Sequence, residues 1–358
     1  MGVMLYFCTV KQTIQLLSSL IACPSFSREE AGTADILFAE LGERGCDNIE
    51  RLHNNIYVRA RNWDDSRPTL LLCSHHDTVR PASGYTRDPF VPIVEGDRLY
   101  GLGSNDAGAS AVCLLEAFCA LQDESHAVNL VLALVGEEEV GGEHGLRALL
   151  PVLNRIDMAL VGEPTGMQAA LGERGLVVID GEAKGRSGHA ARGEGVNALY
   201  KAVDDINALR NYHFSKKSEL LGDISVTVTG IQAGTQHNVV PDVCRYFVDV
   251  RTTDAYTNEE TVALLQSVAS NSVLTPRSTR LRASAIDSEH PLVKAAKSIG
   301  ADTFVSPTMS DMAHLSVPSL KMGPGESARS HTADEFVMLG EIEAGVRGYI
   351  ELLKNLSV

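Results

Sequence analysis

Basic residues are scarce in this chain of 358: 31 lysines and arginines stand against 46 aspartates and glutamates, a formal net charge of −15. Phosphate backbones and anionic membranes attract cationic faces, so neither nucleic acid nor a membrane is an expected partner. Long apolar runs are lacking too. No window reaches the ~18 apolar residues of a membrane span, and Lys11 and Gln12 interrupt the apolar residues Met1 to Cys8 before a secretory core could form. Gly2 fits no myristoylation pattern, because Tyr6 stands where Ser or Thr is wanted. The seven cysteines are odd in number and include no Cys-x-x-Cys pair, which excludes a disulfide framework and a thiolate zinc site. Reduced thiols in a cytoplasmic protein are the expectation. Internal repeats, low-complexity tracts and long linkers are absent.

The length exceeds what one hydrophobic core usually fills, so two domains are expected. The most informative stretch is 129–135, apolar enough to be a strand buried on both faces, followed through Gly136 by Glu137, Glu138 and Glu139. Crowded carboxylates repel and raise one another's pKa unless a cation offsets them. Three other apolar runs end in polar residues: 69–73 leads into His75 and Asp77, 158–161 into Glu163, and 318–322 through Gly323, Pro324 and Gly325 to His331. Asp106 follows the glycine-rich 101–105 and opens an Ala-rich helical stretch over 107–122. In sheets covered by helices, sites collect at the carboxyl ends of strands. Two histidines with several carboxylates suit zinc, with cobalt or manganese as substitutes.

Helical periodicity over 10–22 and 29–44 precedes strands and helices that alternate as far as residue 161. This implies a largely parallel sheet with helices on both faces. The style changes after Gly175. Strands at 176–183, 223–230 and 244–250, with helices at 195–209 and 258–269, describe a separate open-faced α+β sandwich. From residue 284 the earlier style returns. The expected architecture is a discontinuous α/β domain, 1–175 and 284–358, interrupted by an inserted domain, 176–283.

These motifs resemble a family of zinc-dependent hydrolases that includes acetylornithine deacetylase, succinyl-diaminopimelate desuccinylase, aminoacylase and glutamate carboxypeptidase, and the resemblance spans nearly the whole chain. His75-x-Asp77-Thr78-Val79 resembles the first zinc motif, with Arg80 intervening before Pro81. The segment from Gly101 to Gly108 is similar to the bridging-aspartate motif, with Asn105-Asp106-Ala107 where Asp-Met-Lys is more usual. Glu137-Glu138-Glu139-Val140-Gly141, Gly162-Glu163-Pro164-Thr165 and Ser330-His331-Thr332-Ala333-Asp334-Glu335 resemble three more. The resemblance implies a di-zinc exopeptidase-like fold and two Zn²⁺ ions. Asp106 would bridge them, His75 and Glu163 would complete one site, and Glu139 and His331 the other. Glu138 would be the general base, and Asp77 would orient the His75 ring. In the insertion, Ser187-Gly188-His189-Ala190 resembles the segment whose histidine stabilises the oxyanion in the partner subunit's site. Asn238 and Arg251 fall in motifs that hold the substrate's carboxylate. The insertion would thus be both lid and dimerisation domain of a homodimer.

Each residue taken alone has a plainer reading: Asp106 as a helix N-cap, the three glutamates as a solvated loop, His331 as a surface histidine, Glu163 as a turn residue. Four strand exits together with Asp106 outweigh these. His76, His144, His290 and His314 are assigned no role, and Glu137 is taken as a surface or supporting residue. The expected substrate is a small-molecule N-acyl amino acid, with N-acetyl-ornithine of arginine biosynthesis first. N-succinyl-ornithine, N-acetyl-citrulline and N-acyl-lysine stay open, and a succinyl group would need a further cation such as Arg174 or Arg192. A dipeptidase or carboxypeptidase, or a catalytically silent binding protein, are the rival readings.

Overall fold

The computed structural model describes residues 2–358; Met1 and the side chains of 2–9, Cys8 and the apolar start of the chain among them, lie outside the description. No helix of the described residues is long and apolar enough to cross a membrane. The chain divides into two compact units, 1–171 with 286–304 and 310–358, and 172–285 with 305–309. The dividing points differ slightly from 175/176 and 283/284 because the two connections pair with each other, Gly172 opposite Ala285 and Glu173 opposite Ser284.

The first unit is built on four parallel strands in the order Asn129–Val135, Thr69–His75, Met158–Val161 and Ser319–Lys321. All residues of the first two are buried. Period-two alternation sends Leu71, Cys73, Val131, Ala133 and Val135 to one face, into a core shared with Leu146, Leu149 and Met312. Across the sheet the helix Ala109–Leu121 contacts the same strands and is itself covered by Gly2–Ile21 and Leu339–Asn355. A helix enclosed in this way explains why 109–121 is small and apolar on nearly every side.

The sheet is parallel only at its centre. Asn55–Arg59 runs antiparallel to Asn129–Val135, and Ala169–Glu173 antiparallel to Ser319–Lys321. The physical reason lies in the connection: residues 60–68 carry no helix, and a parallel return needs a crossover of about a dozen residues or more.

The second unit is an antiparallel sheet ordered Ser225–Ala233, Val243–Thr252, Gly175–Lys184, Ser272–Pro276. Val177, Ile179, Tyr246, Val248 and Val250 form its buried face, packed with Ala198, Ala202 and Leu265 of the helices Ala198–Arg210 and Asn258–Val268. Asn197 caps the first helix through Leu199 N at 2.9 Å, and Thr257 with Glu260 forms a capping box on the second. Burial alternates residue by residue along Gly175–Lys184, as an open-faced sheet requires.

Candidate metal centre

His75 is the last residue of its strand and is buried, with its Nδ1 3.0 Å from the Asp77 carbonyl and 3.5 Å from Asp77 Oδ1. That contact directs Nε2 at three carboxylates: Asp106 Oδ1 at 3.2 Å, Glu163 Oε1 at 3.7 Å and Glu138 Oε2 at 4.0 Å. On the other side His331 Nε2 lies 3.0 Å from both oxygens of Glu139 and 3.6 Å from Asp106 Oδ2. The two oxygens of Asp106 therefore face two different imidazoles. Donor atoms on a tetrahedron of ~2.0–2.1 Å bonds sit roughly 3.3–3.4 Å apart. The spacings around His75 and His331 bracket that value, so the residues fit a pair of cations that share Asp106. His75, Asp106 and Glu139, and His75, Glu138 and Glu163, each bring their ligand atoms within 4.8 Å of one another.

The surrounding backbone is arranged to hold these groups. Asp77, fully buried, accepts from Glu138 N at 3.1 Å, Glu139 N at 3.3 Å and Ser27 Oγ at 2.7 Å. It thereby fixes the His75 ring and the Glu138–Val140 turn together. Asp106 does not cap the helix it precedes: its backbone is extended (φ −118°, ψ 101°) and the α-helix begins only at Ala109. Gly103 takes φ 75°, open to glycine at no steric cost, and a Cβ on Gly108 would run into the Gly103 carbonyl. Glu335 completes the loop by accepting from Gly103 N (3.0 Å), Asn105 N (2.9 Å) and Asp106 N (2.9 Å).

The charges register the crowding. Burial, with Asp106 and Glu139 nearby, pushes Glu163 up to about 8. Glu138 is raised well above the ordinary carboxylate range by burial and by Glu163, and Glu139 is raised by burial and by Asp106. Burial would raise Asp106 as well, but the hydrogen bond and charge of His75 hold it low. His75 goes the opposite way: burial disfavours its cation, yet Asp106 and Asp77 lift it well above its usual value. A cation bound among these acids would offset their repulsion.

Glu335 and Ser27 were missed from sequence. Glu335 closes the motif that carries His331 and could have been found there; Ser27 gives no signal, since its role comes from a contact fifty residues away. Glu137 is buried, and its carboxylate accepts from His144 N at 3.3 Å. His76 is buried with Nδ1 2.9 Å from Thr33 Oγ1 and Nε2 2.9 Å from the Asn54 carbonyl, and burial lowers it to about 4. His290 caps the helix Pro291–Ser298.

The remaining candidates belong to the second unit. His189 is exposed on the short strand Gly188–His189, opposite Val239, and Asn238 lies beside it, its carbonyl accepting from Ala190 N at 3.0 Å. Arg251 forks onto Asp249 at 2.8 and 3.1 Å. Arg174 donates to the Leu221 carbonyl at 2.9 and 3.2 Å, whereas Arg192 is exposed with Glu194 4.0 Å away.

Comparison with known proteins agrees with this fold. Succinyl-diaminopimelate desuccinylase of Dinoroseobacter shibae is 30% identical over 277 residues, 72% of each chain. A tripeptidase from Staphylococcus aureus superposes with a TM-score of 0.76 at 21% identity, covering 97% of this chain and 98% of that one. A dinuclear metal-binding peptidase of the M20 family from Bacillus subtilis gives 0.74 at 17% identity, over 97% and 98%. The sequence pattern of peptidase family M20/M25/M40 runs through residues 71–355, from the His75 strand to the closing helix, and the chain belongs to that family.

Proposed function

We propose that this chain is a metal-dependent amidohydrolase that frees an amino acid from its Nα-acyl derivative. The observation that carries the reading is Asp106 placed between two imidazoles, Oδ1 toward His75 and Oδ2 toward His331. His75, Glu163 and Asp106 would hold one ion, and Glu139, His331 and Asp106 a second, with zinc first and cobalt or manganese as substitutes. Metal ions held there would supply a Lewis acid for the scissile carbonyl and a lowered pKa for water. Glu138 takes the proton of the attacking water on its carboxylate and delivers it to the departing amine nitrogen. Asp77 keeps the His75 ring in place. His189 stabilises the oxyanion, in the site of a partner subunit, and Asn238 and Arg251 hold the substrate's carboxylate, for which Arg251 exchanges Asp249. The second unit is on this reading lid and dimerisation domain, and the enzyme is cytoplasmic.

N-acetyl-ornithine, a substrate of arginine biosynthesis, is the first choice on the motif from Gly162 to Thr165. N-succinyl amino acids are the second reading, favoured by the relative from Dinoroseobacter shibae. With Arg174 engaged by Leu221, Arg192 is the freer cation for a succinyl carboxylate. Amine release from N-acetyl-ornithine, N-succinyl-ornithine, N-acetyl-citrulline, N-acetyl-lysine, N-succinyl-diaminopimelate and a dipeptide set, with and without zinc, tests the proposal. Zinc-dependent turnover of an Nα-acyl amino acid at least tenfold above every dipeptide is expected, by the ~1.4 kcal/mol that a decade represents. Turnover of dipeptides alone would overturn it in favour of a peptidase.

A further inference from the structure

The strands Thr69–His75 and Asn129–Val135 carry the metal centre at their carboxyl ends; their opposite ends, at Thr69 and Asn129, line a cleft of about 460 Å³. Three arginines, Arg59, Arg67 and Arg155, line it in a chain whose net charge is −15. The one carboxylate lining it, Asp65, is engaged by Trp63 Nε1 at 2.8 Å.

Arg59 and Arg67 are incompletely neutralised. Among the described residues, Arg59 donates only to the Val152 carbonyl, at 3.5 Å, and its guanidinium lies 5.7 Å from the Trp63 ring centroid. Arg67 has Asp64 at 3.5 Å from Nε, and its Nη1 is buried without an acceptor. Arg155 Nε meets Asp157 at 2.9 Å, a carboxylate that also accepts from Thr69 N at 2.8 Å. Buried N–H groups seek acceptors, and planar guanidinium forks match carboxylate and phosphate oxygens.

We propose that this cleft binds a small molecule with clustered anionic oxygens, a phosphate or a dicarboxylate, gripped by Arg59 and Arg67 against Trp63. The site is independent of the hydrolytic reading, since it shares no residue with the metal centre.

Trp63 is the only tryptophan of the chain, so its emission reports on this cleft alone. The intact metal-loaded protein is titrated with inorganic phosphate and, separately, with glutarate, at ionic strength held constant with chloride. A saturable change in emission is expected with at least one probe: phosphate alone identifies a phosphate ligand, glutarate alone a dicarboxylate, and both an oxyanion site of either kind. Arg59→Ala and Arg67→Ala should each weaken that binding at least ~10-fold, the loss typical of one charge-assisted hydrogen bond. Arg210→Ala, on an exposed helix end of the second unit, should leave it unchanged. Circular dichroism checks the fold of each variant, and if Arg67→Ala unfolds, Arg59→Gln decides in its place. No saturable change with either probe, or undiminished binding in the Arg59 variants, overturns the proposal.

Discussion

The two units treat charge in opposite ways. In the first, strands buried on both faces have nowhere to put a polar side chain except at their ends, so His75 and the turn Glu138–Val140 emerge side by side where neighbouring parallel strands stop. The groups are then locked by backbone amides, two of them on Asp77 and three on Glu335. In the second, the open face of the sheet mixes charged residues with the exposed Phe247 and Val273, and its charges settle locally, Arg251 on Asp249, Arg277 on Asp180, Arg245 on Glu182. Convergence of charge is informative where the fold removes alternatives, and much less so on an open face.

Asp106→Ala would break the first unit's arrangement most completely. Metal analysis should show both sites depleted and activity lowered beyond the ~100-fold that losing a ligand's supporting partner costs; two full equivalents of zinc at unchanged affinity would remove Asp106 from the bridging position. Glu138→Gln should cost ~10²- to 10⁴-fold in turnover, with bound metal retained. Near wild-type turnover with an unchanged pH optimum would reassign the base.

His189→Ala carries the comparison into the second unit. A fall of roughly 10²- to 10³-fold with zinc content unchanged is expected. Mixing His189→Ala with Glu138→Ala subunits should restore one working site per heterodimer; heterodimers that form and stay dead would place His189 outside its partner's chemistry.

The smallest effect is on stability. In metal-free protein Glu163 is raised from 4.5 to about 8 by burial first and neighbouring acids second, so between those values the folded state holds a proton that the unfolded chain releases. Stability then falls as pH rises through this window. His75, also raised, loses its contribution in the same direction as pH climbs from 6.5 through its folded value. Asp77 and Asp106, held low, act the other way only near and below 3.8. The chelated protein should therefore melt lower at about pH 8 than at about pH 6, while the increment in melting temperature gained on adding zinc grows over the same interval, because ligation requires deprotonated donors. A metal-free protein that gains stability across that interval would contradict the charge assignment.

Much of this was legible in the chain. Met158–Val161 has the bounds that its apolar run marks, since burial on both faces leaves no ambiguity. Ends were less legible. The stretch 145–153 reads as helical in the sequence, but only Leu146–Leu149 forms a helix, with Pro151 just beyond its end, and the helix expected over 107–122 starts at Ala109 because the Asp106 loop is extended. The three-residue strands Ile93–Glu95, Arg98–Tyr100 and Phe336–Met338 are too short to show a period, and their pairing joins residues far apart in sequence. The same holds for Ser27 and Glu335, whose roles exist only once the chain has closed on itself.

On the proposed reading two cations would share Asp106 and switch on amide hydrolysis. Titrating the chelated protein with zinc, while following both bound metal and release of ornithine from N-acetyl-ornithine or of the best substrate of the panel, tests it directly. Two equivalents should bind, with activity absent before zinc is added and full at saturation; activity that survives complete chelation, or saturation at a single equivalent with full turnover, would contradict a two-ion site.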